Sequence, residues 1–168
     1  MVNKLNQKII IIDGLDRTGK TTIIKALSEK IEIPSYKRDN VKKGYDFIVD
    51  LFYAVEAYTQ FLEQTGYSVI FDRLFPSEYV YSDVYRRHTS MSKLMELDRR
   101  YANMKTKIII LEKDEDKYIE DDFIELEKYN EIKDAFREFA KLSLCKTMIL
   151  NTSDENLEGQ LKKIIDFI

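Results

Sequence analysis

The chain has one cysteine, which excludes an intrachain disulfide. Cys145 follows Leu142 and Leu144, so it reads as a small buried hydrophobe, and the thiol content fits a reducing, cytoplasmic compartment. No apolar run approaches the roughly 20 residues of a membrane span, so no membrane partner is expected. The run after Lys8 is short and ends at Asp13, so no signal peptide is expected from it. Basic residues are not in excess: 27 Lys and Arg against 30 Asp and Glu leave a net charge of −3. That excludes a global footprint for nucleic acid, although local basic groups can still bind a small anion. The lone histidine, His88, follows Arg86 and Arg87 near an expected helix end, where a surface or capping role suits it. Glycine is scarce, with five in 168 residues, so its placement is informative.

Two of the five organise the chain. Ile9, Ile10, Ile11 and Ile12 form a β-branched apolar run that reads as a buried strand. Gly14-Leu15-Asp16-Arg17-Thr18-Gly19-Lys20-Thr21 follows, the Gly-x-x-x-x-Gly-Lys-Thr phosphate-loop pattern, and Thr22 onward reads as a helix. The glycines let successive N–H groups turn inward on phosphate oxygens, and the helix aims its positive dipole end at the same anion. The pattern assigns Lys20 to the β/γ-phosphates and the Thr21 hydroxyl to Mg²⁺.

The remainder alternates strands with helices. A first helix runs to about 30, and 31–36 reads as a short, proline-interrupted edge strand. Lys37 and Arg38 open a basic loop. A long helix covers 46–64 and ends at Gly66, a third strand covers 67–71, and Asp72-Arg73 stands at its carboxyl end. Helices over 75–87 and 91–104, capped by Thr89 or Ser90, lead to a strand at 107–111 and a charged connection at 112–117. A helix at 122–142, a strand at 148–150, a turn and cap at 151–153 and a helix from 157 complete the chain. This alternation predicts an α/β domain of the P-loop NTPase type. Its five-stranded, mainly parallel sheet carries helices on both faces in three layers. The expected organisation is one domain over 1–168. The ligand crevice is expected at the carboxyl ends of the first and third strands.

The run from Asp13 to Thr22 resembles the phosphate loop of thymidylate kinases. Phe71-Asp72-Arg73, with Ser77 and Tyr81, resembles that family's Asp-Arg motif after the third strand, with one residue more before the serine. Leu51-Phe52-Tyr53-Ala54 resembles the segment whose phenylalanine stacks on thymine, and 121–140 resembles the helix after the lid. The resemblance implies a kinase domain over 1–168 with a short lid at about 112–121, and transfer of the ATP γ-phosphoryl group to a deoxynucleoside monophosphate, dTMP first, with Mg²⁺ as cofactor. It implies ATP contacts from Gly14 through Thr22, and metal contacts from Thr21 and Asp72. The acceptor contacts it implies are Asp16 (sugar 3′-hydroxyl), Arg38, Phe52, Arg73, Ser77 and Tyr81, and the assembly is a homodimer. Lys20, Arg17, Arg73 and Asp72 are the catalytic candidates, because phosphoryl transfer needs charge stabilisation and alignment more than covalent help. Asp72 is expected to orient Arg73 or hold a water on the metal.

An arginine between the loop glycines can reach the γ-phosphate. In the similar family, members with this arginine lack lid arginines, and 112–121 contains none. One departure concerns the base. Four residues after the stacking phenylalanine the family has an arginine; here it is Glu56, with Gln60 a turn further. A carboxylate accepts hydrogen bonds: Glu56 can take one from thymine N3–H but better suits an exocyclic amino group on cytosine or adenine, and Gln60 can read a base edge of the acceptor with both a donor and an acceptor. Plainer roles stand beside these: Asp16 as a turn former, Asp72 as a partner of loop backbone, Phe52 as core and Glu56 as an exposed helix residue. Two other functions also stand: a deoxynucleoside kinase acting on a 5′-hydroxyl, and a nucleotide-binding protein without transfer activity.

Overall fold

A computed structural model describes residues 6–37, 47–86, 89–117, 126–153 and 155–168; for 47–54, 126 and 127 it describes the backbone alone. The elements are β1 (Ile9–Gly14), α1 (Lys20–Ile31), β2 (Ser35–Lys37), α2 (Phe47–Thr65), β3 (Val69–Asp72), α3 (Phe75–Val84), α4 (Met91–Asn103), β4 (Lys107–Glu112), a 3-10 turn at Glu115–Lys117, α5 (Leu126–Leu142), β5 (Lys146–Asn151) and α6 (Leu157–Phe167). The sheet order is β2-β3-β1-β4-β5, and every neighbouring pair is parallel.

The isoleucine run builds the core because a strand alternates its side chains between faces. Ile9 and Ile11 pack with Phe71, Ile108 and Ile110 under α2, α3, α4 and α5. Ile10 and Ile12 pack with Ile70, Ile109 and Leu111 under α1 and α6. A strand buried on both faces reads as continuous apolar sequence, which is why β1 and β4 were legible as such. The chain passes from β1 to β2 and β3 on one side and then to β4 on the other. The direction of strand order therefore changes at β1, and its carboxyl end opens a crevice there.

Several boundaries differ from the sequence expectation. The second strand is Ser35–Lys37, not 31–36, because α1 continues through Ile31 and ends with Glu32 in the left-handed region. Ile33 is buried in the lower core, and the Pro34 carbonyl accepts from Ile70 N–H at 2.9 Å, so sheet pairing begins where proline's missing donor no longer matters. Thr89 does not cap α4. Its hydroxyl donates to buried Glu78 at 3.1 Å, while Ser90 occupies the cap position and shares its hydroxyl with Ser92. The last helix is capped by Asn156, whose side-chain Oδ1 accepts from Gly159 N–H at 2.9 Å, not by 151–153. Glu112 belongs to β4, and of the helix expected over 122–142 the described residues include Leu126–Leu142, with 122–125 outside them.

Candidate active site

The two loop glycines are required for different reasons. Gly14 has φ +124°, and a Cβ there would stand 2.1 Å from the Leu111 carbonyl oxygen. The first glycine is therefore set by the close approach of β4, whose Leu111 carbonyl accepts from Leu15 N–H at 3.2 Å. Gly19 has φ +82° and no atom within 4 Å of such a Cβ, so only the backbone hand at the start of α1 requires it. Between them, Thr18 is buried and donates to the Leu15 carbonyl at 2.9 Å, and Arg17 is exposed at φ +57°.

Lys20 starts α1 and is buried beneath the loop. Its ammonium donates to the carbonyls of Gly14 (3.3 Å) and Leu15 and stands 3.9 Å from Asp16 Oδ1. Burial, the largest influence, and the Arg73 charge lower its pKa to about 8, against opposing pulls from Asp16, Asp13 and Asp72. A phosphate would supply the counter-charge that this ammonium otherwise draws from loop carbonyls. Thr21 and Thr22 are exposed on the first turn of α1. Thr21 and Asp72 line one groove of about 240 Å³ between α1, β2 and β3, together with Lys37. A hydroxyl and a carboxylate in one groove fit a hard cation such as Mg²⁺. Among the described residues no group of three or more His, Cys, Asp or Glu could hold a metal by itself.

Arg73 follows β3 in the left-handed region, φ +65°, an uncommon conformation that turns its side chain back toward the loop. Its Nη1 donates to Ser77 Oγ at 2.9 Å and to Asp13 Oδ1 at 3.4 Å, and its Nη2 donates to Asp16. The guanidinium carbon lies 5.8 Å from the centre of the Tyr81 ring. Burial works against its charge, but Asp13, Tyr81 and Asp16 outweigh it and raise the Arg73 pKa. Burial also raises the Tyr81 hydroxyl well above its ordinary range.

The structure thus brings Asp16, Lys20, Arg73, Ser77 and Tyr81 together. Asp72 faces Lys37 (3.6 Å), not Arg73, so it is Asp13 and Asp16 that orient the arginine. Asp13 was not singled out from sequence. It is fully buried and accepts from Gly14 N–H (2.8 Å), Ser77 N–H (3.0 Å), Leu74 N–H (3.4 Å), the Ser77 hydroxyl and Arg73. A signal existed: a carboxylate closing a four-isoleucine run must be buried at a strand end, and a buried carboxylate must collect donors.

The base-reading pair is placed differently from its expected role. Glu56 accepts two hydrogen bonds from Arg100 Nη1 (2.8 and 2.7 Å) and one from Gln60 (3.0 Å), and Arg100 also donates twice to Glu63. The Arg100 hydrogen bond, then that of Gln60, lowers the Glu56 pKa. Glu56 is thus engaged across the α2–α4 seam, while Gln60 is exposed and bonds Glu56 on its own helix. Arg38 lies outside the described residues, and Phe52 is on α2 with its side chain outside them. Of the expected lid, 118–121 lie outside them as well; the described part includes the Glu115–Lys117 turn. Cys145 is buried, as its context implied. Among the described residues no helix is long and apolar enough to cross a membrane.

No protein-family model matches the chain, and no curated protein matches it in sequence. Its fold is similar to YorR of Bacillus subtilis in complex with phosphorylated GDP, with TM-score 0.74 and 22% identity over 94% of each chain. It is also similar to thymidylate kinase from Ehrlichia chaffeensis (TM-score 0.64, 16% identity, 95% of this chain and 98% of that one). A third similar structure is deoxyadenosine kinase from M. mycoides with dCMP and dCDP bound (TM-score 0.60, 16% identity, 94% and 97%). The chain shares the three-layer α/β fold of these structures, two of which are nucleotide kinases.

Proposed function

We propose that the chain transfers the γ-phosphoryl group of ATP to the phosphate of a deoxynucleoside monophosphate, with dTMP the first candidate by resemblance. An acceptor phosphate oxygen forms a bond to the γ-phosphorus while the bond from that phosphorus to the β–γ bridging oxygen breaks, leaving ADP and the deoxynucleoside diphosphate. The reading rests on one observation: cationic side chains stand at the carboxyl ends of three adjacent strands. Lys20 lies under the loop after β1, Arg73 directly follows β3, and Lys37 ends β2. Such a row suits two phosphate groups brought together, where repulsion and developing charge are the main obstacles.

In this reading the backbone from Gly14 to Thr22 binds the donor phosphates, and Lys20 neutralises the β/γ-oxygens. Arg73, held by Asp13 and Asp16, aligns the acceptor phosphate, and Arg17 at the loop tip carries the charge that develops on the γ-phosphoryl group. Thr21 and Asp72 would hold Mg²⁺, which supplies charge neutralisation on the phosphates. A hydroxyl acceptor would need a base beside it. At the end of β2, where deoxynucleoside kinases typically carry a glutamate, this chain has Lys37, which favours the monophosphate.

The test is ADP production with ATP and Mg²⁺ over the four common deoxynucleosides and their monophosphates. ADP formed with monophosphates and not with nucleosides is the expected result. Turnover confined to nucleosides would replace this reading with hydroxyl phosphorylation, and no ADP with any acceptor would remove both.

A further inference from the structure

The α3 helix begins without a cap of its own. Leu74 occupies the cap position and has no side-chain acceptor, and Pro76 contributes no N–H. The acceptor comes instead from β1. Asp13 Oδ2 takes the N–H of Ser77, the third residue of the helix, at 3.0 Å, and that of Leu74 at 3.4 Å. This is the bond an N-cap side chain normally makes, supplied from 64 residues away. The other oxygen, Oδ1, takes the N–H of Gly14, the first peptide of the phosphate loop, and also the Ser77 hydroxyl and Arg73 Nη1. Ser77 Oγ in turn accepts from the same Nη1 at 2.9 Å. One fully buried carboxylate is therefore bonded at once to the donor-side loop, to the start of the helix carrying Ser77 and Tyr81, and to the arginine between them.

We infer that Asp13 is a positioning residue that locks Arg73 and the N-terminus of α3 to the phosphate loop, so that the donor and acceptor sides of the crevice keep one alignment. The inference rests on the phosphoryl-transfer reading for its kinetic consequence, but the mechanical link is independent of it. Arg73 holds a left-handed backbone, and Asp13, Asp16 and Ser77 bond its guanidinium while the Tyr81 ring lies against it. Asp16 is half-exposed on the loop itself, whereas Asp13 is rooted in the central strand.

The experiment compares the full-length parent with Asp13→Asn, Arg73→Ala and the double variant. The amide keeps the size but loses the charge and one acceptor. Asp13→Asn is expected to lower kcat at least 30-fold while the Kd for MgADP, by calorimetry, stays within threefold. The double variant should be slower than Arg73→Ala by less than Asp13→Asn slows the parent, since Asp13 acts partly through that arginine and partly through the start of α3. A purely structural residue would instead weaken MgADP binding and add its full loss to that of Arg73→Ala, and either result overturns the inference. Amide hydrogen exchange tests the link without catalysis: peptides covering Leu74 to Val80 should exchange at least tenfold faster in Asp13→Asn, with β4 unchanged, and equal exchange overturns it. Should Asp13→Asn not fold, Ser77→Ala cuts the hydroxyl bridge and leaves the backbone cap; a kcat within twofold of the parent would then refute the lock. An inactive parent would count against phosphoryl transfer alone, and the exchange result would still decide the link.

Discussion

Replacing each loop glycine by alanine separates two roles that the phosphate-loop pattern merges. Gly14→Ala puts a methyl 2.1 Å from the Leu111 carbonyl oxygen and within 3 Å of the Leu111 backbone nitrogen and carbon, at φ +124°. Those neighbours are backbone atoms of a central strand, so no side chain can swing aside. The positive φ alone costs about 1–2 kcal/mol for a residue with a Cβ. Pushing β4 away strains the Leu15–Leu111 hydrogen bond, a net loss of about 0.5–1.5 kcal/mol, and loosens two buried leucines. The expected destabilisation is about 3–5 kcal/mol, at the top of the range for single substitutions. At about 2–4 °C per kcal/mol for a domain of this size, Tm should fall by about 6–20 °C. Gly19→Ala meets nothing within 4 Å and carries only the conformational term, about 1 kcal/mol, so Tm should fall by about 2–4 °C. Urea and thermal unfolding of both variants measure the difference. Equal losses, or a Gly14→Ala loss under about 1 kcal/mol, would refute the argument that β4 packing requires the first glycine.

Arg17→Ala is expected to reduce turnover on the order of 10³-fold, as for an arginine that carries transition-state charge, and steady-state rates within about threefold of the parent would remove that role. Lys20 has a folded pKa of about 8 against 10.5, so below pH 8 both states hold the proton and the burial penalty is present in full. Between pH 8 and 10.5 the unfolded chain binds more proton and stability rises with pH, by up to about 3 kcal/mol. Urea unfolding at pH 7.5 and pH 10 should show that rise in the parent and not in Lys20→Met; equal changes would contradict it. Burial first, then Asp98, pushes the Cys145 thiol up to about 12. Its reaction with a disulfide reagent at pH 8 should therefore be about 10³-fold slower in the native protein than in denaturant, and comparable rates would place the thiol outside the core.

Much of the fold was legible because its signals are local. The isoleucine run, the apolar run at Lys107–Glu112 and the amphipathic period of α5 each mark an element by side-chain pattern alone. The second strand was harder. Ile31 and Ile33 are apolar enough to read as strand, yet one ends α1 and the other plugs the lower core, and the difference depends on where α1 stops. In the site, Lys20, Asp16 and Arg73 were legible from motif spacing. Asp13 was not, because its partners Ser77 and Leu74 come from a different element. Glu56 was legible as a departure from a pattern, but its engagement by Arg100 joins residues 44 apart on two helices, and no local signal encodes that.

The sequence by itself determined the alternation of elements, the phosphate loop with its lysine, and the Asp-Arg pair at a strand end. Each depends on residues within a few positions of one another, where spacing and side-chain period suffice. Only the tertiary structure decided which carboxylate holds Arg73, why Gly14 must be glycine, and that Thr21, Lys37 and Asp72 share a groove. Those follow from strand order: β3 and β4 flank β1, which brings Asp72 beside Ile12 and Leu111 beside Gly14. Contacts across parallel strands are set by register and packing, and the pattern within any one strand does not contain them.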